Sequence, residues 1–416
     1  MQNTDLRSFD PAQRVIFGLL SQTLFGAAYT PEPDVDWTAV FRESECQAVR
    51  IQTFANHHLI PDIPADLRAD IRQYIMAAML KDSRIHAQHT MVHRLLTDNG
   101  IAYSVLKGAS SAYYYPNTLT RAMGDVDFYV DPTDVERASE IFRREGFTVE
   151  PYQWDNPTKY HVGISKGSMH LEMHYKFPGL PVGLVGDRIY GYLADIRETA
   201  TLTDTGTVTC MLPRPLHHGM IILMHLQHHL LCEGIGLRHL CDWAVFVNAF
   251  SEEEVNSLLR TPLESVGLWR FARLLSLASS LYIGLPEQGW MRESPEEDEV
   301  AEALMLDIVR GGNFGVKDRQ RSFEGMFISD RKNGVKQGRL RQALALVNRS
   351  SRERWPIMKK YPILLPVGWI FRLCGYLLHN HRRRRKGRQI SLTDAYRRSG
   401  ERKELYAIFR LYEPES

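Results

Sequence analysis

Along residues 11–98, apolar side chains recur at roughly helical spacing. Val15, Phe17, Leu19, Leu20 and Leu24 form one stripe, and Leu67, Ile71, Tyr74, Ile75, Ala78 and Leu80 form another. Pro61, Asp62 and Pro64 mark a break between helices, and a last helix, about 84–97, stops at Asp98-Asn99-Gly100. From Ile101 the period changes. The apolar run Ile101–Leu106 reads as a strand, followed by a turn at Lys107-Gly108 and a helix through Tyr115. Val126, Phe128 and Val130 then alternate with Asp125, Asp127 and Tyr129, and a helix runs from about Thr133 to Arg144. Residues 147–152, 160–165 and 168–175 alternate like strands, with Lys166-Gly167 as a tight hairpin turn. Beyond Pro213 helical spacing returns and holds to about residue 310.

The expected architecture is therefore α+β: a small mixed sheet flanked by helices, with N-terminal helices and a mostly helical C-terminal part. The boundaries read as an N-terminal helical region over 1–98, a core over 99–212, a helical domain over 213–310, an exposed connector over 311–336 and a basic helical region over 337–416. A chain of 416 residues is long enough for two or three domains. Its formal net charge of +2 gives no overall nucleic-acid signature, so any anion-binding surface must be local. Cys46, Cys210, Cys232, Cys241 and Cys374 are scattered and odd in number, which reads as reduced, buried thiols in a cytoplasmic protein. The first residues lack the apolar core of a secretion signal, and Tyr361–Leu378 is interrupted by Pro362, Pro366 and Arg372, so no transmembrane span is expected.

The candidate chemistry sits on the alternating segments. Asp125 and Asp127 project from one strand face, about 6–7 Å apart along it. That spacing suits clamping a divalent cation, and hard oxygen ligands favour Mg²⁺ or Mn²⁺. Glu172 shares a face with His170 and His174 and supplies a third carboxylate if its strand pairs beside the first. One or both of His170 and His174 then flank the metal site or contact the substrate, or simply line a polar strand face. Arg121 suits bidentate phosphate contact or, alternatively, neutralisation of the carboxylates.

Taken in order, Leu-Lys-Gly at 106–108, Tyr115-Pro116, Arg121-Ala122-Met123-Gly124-Asp125-Val126-Asp127-Phe128-Tyr129-Val130, Glu145-Gly146-Phe147 and Leu171-Glu172-Met173-His174 resemble the bacterial uncharacterised nucleotidyltransferase family, within the DNA polymerase β-like superfamily. An Asp-x-Asp alone is weak evidence; the ordered set of five elements is more specific. The likeness is dense over about 90–176 and weaker to about 250. It implies a nucleotidyltransferase-type sheet, catalytic and metal-binding roles for Asp125, Asp127 and Glu172, and a nucleoside triphosphate held by Lys107, Gly108, Ser110, Ser111 and Arg121. The chain has Gly108-Ala109 before Ser110 where a Gly-Ser pair is usual, which leaves open which hydroxyl meets phosphate. The acceptor is unspecified: a small molecule, a protein or RNA. A catalytically silent nucleotide-binding regulator on the same fold is the alternative.

Two further regions carry candidates. A helix at about 220–231 holds His225, His228 and His229, followed by Arg238 and Asp242. His225 and His229 have a spacing that could hold zinc, but Leu226 breaks the His-Glu-x-x-His pattern; His228, Arg238 and Asp242 read as cleft-lining or packing residues. In the tail, aromatic and apolar residues precede the basic run Arg382–Arg388. This suits an anionic membrane surface, placing the protein at the membrane periphery, or RNA phosphate, or a helix packed on the body with a solvated end.

Overall fold

The computed structural model describes residues 6–156, 159–181, 183–318, 365–371 and 392–414, together with Arg321, Asn348, Met358, Tyr361 and Ile363. The polybasic run and most of the connector and tail expected from the sequence lie outside the described residues. Among those described, no helix is long and apolar enough to cross a membrane.

Helices α1 (Pro11–Phe25), α2 (Trp37–Cys46) and α3 (Arg50–Phe54) open the chain. Helix α4 then runs unbroken through 33 residues, Ala65–Thr97. The sequence reading placed a separate helix at 84–97. With no proline or glycine between 65 and 97, nothing interrupts the backbone hydrogen bonding, and the two stripes belong to one rod.

The sheet comprises β1 (Tyr103–Val105), β2 (Val126–Val130), β3 (Thr148–Val149), β4 (His161–Lys166) and β5 (Met169–His174), in the order β1-β2-β5-β4-β3. A one-turn helix, α5 (Ala109–Ala112), follows β1, and α6 (Val135–Arg144) follows β2. The pair β2/β5 is parallel and the other pairs are antiparallel, so the fold is α+β around a small mixed sheet, as expected.

Side-chain alternation gives the sheet two unlike faces. Val126, Phe128, Val130, Val162, Ile164, Leu171 and Met173 form one core with α6 and the C-terminal half of α4. The opposite face carries Asp127, Tyr129, Glu172, His174 and His161, and turns toward the helical body. There Leu106, Tyr129 and Phe177 join a second core built from α1–α3 together with α8 (Pro215–Cys232), α9 (Leu237–Asn248), α12 (Trp269–Ile283) and α13 (Glu297–Gly311). Helix α7 (Leu184–Leu193) joins the body core, whereas the hairpin of β6 (Thr201–Asp204) and β7 (Thr209–Leu212) packs with β1 and α4 in the sheet core; α10 (Glu252–Val255) and α11 (Thr261–Ser265) join α9 to α12. Of the described cysteines, Cys210 and Cys241 are buried free thiols as expected, whereas Cys46 and Cys232 are only half-buried.

Candidate active site

The register of three strands assembles the site. Asp127 lies opposite Glu172 in the parallel pair β2/β5, and His161 lies opposite His174 in the antiparallel pair β4/β5. Asp125 sits one residue ahead of β2. Oxygens of Asp125, Asp127 and Glu172 come within 4.8 Å of one another. The loop entering β2 is fixed from outside the sheet, where the buried Asp82 of α4 accepts a hydrogen bond from the Met123 amide at 3.1 Å.

Beyond β1, Leu106 donates its amide to the Asp127 carbonyl at 3.0 Å, and the chain reverses at Gly108, whose φ of 63° and ψ of −106° belong to glycine. The turn directs Lys107 Nζ to 3.2 Å from Asp127 Oδ2. His174 Nε2 lies 2.9 Å from Asp127 Oδ1 and 3.4 Å from Glu172 Oε2. Its ring stacks on Tyr160 with centroids 5.8 Å apart.

The charges are unevenly compensated. Burial alone pushes the Asp127 pKa up, but Lys107 and the His174 hydrogen bond overrule it and hold the carboxyl well below its usual range. Burial likewise opposes charge on Lys107, yet Asp127 and Asp125 outweigh it and raise its pKa. Glu172 is lowered, chiefly by the His174 hydrogen bond. Asp125 goes the other way: burial and then the Asp127 charge raise it, with Lys107 only partly offsetting them. Three carboxylates thus crowd round one lysine and one buried histidine. This donor set fits a divalent cation.

Facing the sheet is a wall of α8 and α9. A recess between the sheet and α8 is lined by Lys107, His174, Phe177, Met224 and His225 among others. Burial and the Lys107 charge hold His225 well below the ordinary imidazole pKa, and burial does the same for His239. Arg238 is desolvated, with Arg121 adding to the lowering of its pKa; its Nε is buried without a hydrogen bond, and it has no carboxylate partner among the described residues.

Several sequence-derived candidates sit elsewhere than expected. Arg121, assigned either to phosphate or to the acidic pair, makes a bidentate pair with Asp242, Nε to Oδ1 at 3.0 Å and Nη2 to Oδ2 at 2.7 Å, and Tyr115 donates to the same carboxylate at 2.8 Å. Asp242 is therefore a buried structural anion that ties α9 to the loop before β2, not an open cleft residue. Ser110 and Ser111 are buried in α5, and the Ser110 hydroxyl has no hydrogen-bond partner among the described residues. His228 is half-buried on α8 with its ring 5.2 Å from that of His229. His225 and His229 belong to neither group whose donor atoms approach within 4.8 Å, which disfavours the zinc reading of that helix.

Sequence reasoning missed Asp82, His89 and His161. His89, pushed down to about 4 by burial, lies behind Gly108 with its Nε2 unpartnered. The first two carried no signal, since they sit on a helix some forty residues upstream. For His161 a signal existed: counting back from the Lys166-Gly167 turn puts it directly across from His174.

A family model described as uncharacterised nucleotidyltransferase matches residues 33–282, more than half of the chain. The chain belongs to this family. Its description as a nucleotidyltransferase family supports nucleotidyl transfer as the general activity, and the match takes in α2–α4, the whole sheet, the acidic cluster and the α8/α9 wall. No curated protein matches the chain.

Proposed function

We propose that the protein transfers a nucleoside monophosphate from a nucleoside triphosphate to an acceptor hydroxyl on a small molecule, a protein or RNA, releasing pyrophosphate. The observation that carries this reading is the convergence of Asp125, Asp127 and Glu172 beside a recess walled by Lys107 and His225. These three residues would hold Mg²⁺ or Mn²⁺, which supplies Lewis-acid stabilisation of the attacking and leaving oxygens. The acceptor oxygen forms a bond to the α-phosphorus as the bond to the β-phosphate bridging oxygen breaks, and that oxygen leaves with the electron pair. The hydroxyl proton passes to a carboxylate; Glu172, kept ionised by His174, is available at neutral pH, although its lowered pKa makes it a better ligand than base.

Lys107 serves the triphosphate by exchanging Asp127 for phosphate oxygens, and Arg238, which makes no salt bridge among the described residues, adds a second cation. Gly108 allows close backbone approach at the turn, with Ser110 and Ser111 behind it. Incubation with each α-labelled triphosphate, Mg²⁺ and cell extract yields a labelled product from the wild type and none from Asp127→Asn. Undiminished transfer by a folded Asp127→Asn protein sinks the proposal. One observation favours the second reading, a nucleotide-binding regulator without turnover: Asp127 is already paired with both Lys107 and His174. Tight triphosphate binding with no labelled product selects it.

A further inference from the structure

The acidic cluster is not the only metal-competent group on this face of the sheet. His161, Glu172 and His174 also bring one donor atom each within 4.8 Å of one another, so the two groups share Glu172. Both histidines are there by register, since His161 and His174 are directly paired across β4/β5.

From this we infer that His161, Glu172 and His174 form a second divalent-metal site, nitrogen-rich, that takes zinc or a similar borderline transition-metal ion in preference to Mg²⁺. The dimensions suit it. His161 Nδ1 and His174 Nε2 each lie 3.4 Å from Glu172 Oε2. A tetrahedral ion with bonds of about 2.0–2.1 Å separates its ligands by about 3.3–3.4 Å. The edge between the two ring nitrogens is under 4.8 Å and is the one that closes around the ion.

His161 Nδ1 is buried and makes no hydrogen bond among the described residues, so its lone pair is available to ligate beside Glu172. At His174 the ion takes the place of the Nε2 proton, now donated to the ionised Asp127, and that proton leaves to solvent. Two imidazoles and a carboxylate are borderline donors that select zinc, iron or nickel over magnesium, whereas the three carboxylates alongside select the reverse. Three protein ligands leave a further position open to water or substrate.

The site stands apart from the transfer reading, because its readout is metal binding without nucleotide. Tag-free full-length protein, stripped with chelator, is titrated with Zn²⁺ by calorimetry and with Co²⁺ by visible absorption. The wild type binds one equivalent and gives the intense visible bands of four- or five-coordinate Co²⁺. His161→Gln weakens Zn²⁺ at least 100-fold, as expected when a ligand and not merely an outer-shell group is lost. Asp125→Asn and His229→Gln retain binding.

Only pale, six-coordinate Co²⁺ spectra in the wild type overturn the inference, whether or not the variants fold. So does Zn²⁺ binding that survives His161→Gln or is lost instead with His229→Gln. Loss of nucleotide transfer in Asp125→Asn with Zn²⁺ binding intact separates the two sites, and absence of transfer from the wild type leaves the metal result standing.

Discussion

Two charged clusters, one at α9 and one on the sheet, are balanced in different ways. On the α9 side Arg121 and Asp242 are both buried, matched one to one through two hydrogen bonds, with Tyr115 completing the carboxylate. On the sheet side, Asp125, Asp127 and Glu172 face Lys107 and His174, and the shortfall shows as a raised pKa at Asp125 while Asp127 is lowered. A satisfied pair holds the fold together; a cluster left with surplus charge is poised to take a cation. The same side-chain chemistry is thus either neutralised within the fold or left able to bind a cation, depending on how far its charge is compensated.

The largest test removes the satisfied pair's cation. Arg121→Met leaves Asp242 buried and unpaired, which destabilises the protein by about 3–5 kcal/mol in urea unfolding, and the double replacement Arg121→Met/Asp242→Leu recovers much of that. If Arg121→Met alone proves harmless, the pair is not the brace described here. Asp125→Asn does the opposite. Because the folded-state pKa of Asp125 lies above its ordinary value, its ionised form opposes folding at neutral pH, so the variant is as stable as wild type or more so. Transfer nonetheless falls at least about 100-fold, since metal stabilisation of transition-state charge is worth several kcal/mol. A destabilised, active Asp125→Asn protein erases the contrast.

How much of that contrast was legible in the chain depends on sequence distance. Period-two patterning puts Asp127 on one strand face and Glu172 and His174 on another, and short hairpins keep such patterns local, so the face is readable from the sequence. The pairing of Arg121 with Asp242 spans 121 residues and two cores, and no spacing rule connects them. Asp82 and His89 were hidden for a related reason: α4 continues where two helices were expected, and its C-terminal half delivers them to the loop before β2 and the Gly108 turn. The basic tail, read as a surface for lipid or RNA, stays an expectation.

Smaller effects sharpen the comparison at its edges. Arg238, a desolvated cation with no salt bridge among the described residues, feels the charge of both Asp242 and Asp125 and sits between the two regimes. Arg238→Met raises the KM for triphosphate about 10-fold or more, the value of a lost charged hydrogen bond, without lowering stability; equal loss of stability and no change in KM assigns it to packing.

His174 gives the smallest effect, about 1 kcal/mol. Its folded-state pKa is raised above 6.5 by the Asp127 and Glu172 hydrogen bonds, which outweigh burial. Its stabilisation is therefore complete below pH 6.5 and fades as pH climbs through the raised value. The stability gap between wild type and His174→Gln narrows from pH 6 to pH 9 in urea unfolding; a gap that widens reverses the sign assigned to the site.

The surplus charge on the sheet is tested most directly by calorimetric titration of a non-hydrolysable nucleoside triphosphate with and without Mg²⁺. If Asp125, Asp127 and Glu172 hold the ion, the wild type binds at least about 10-fold more tightly with Mg²⁺, a difference of about 1.4 kcal/mol, and Asp125→Asn loses that gain. Equal affinity with and without Mg²⁺, or a gain that survives Asp125→Asn, contradicts it.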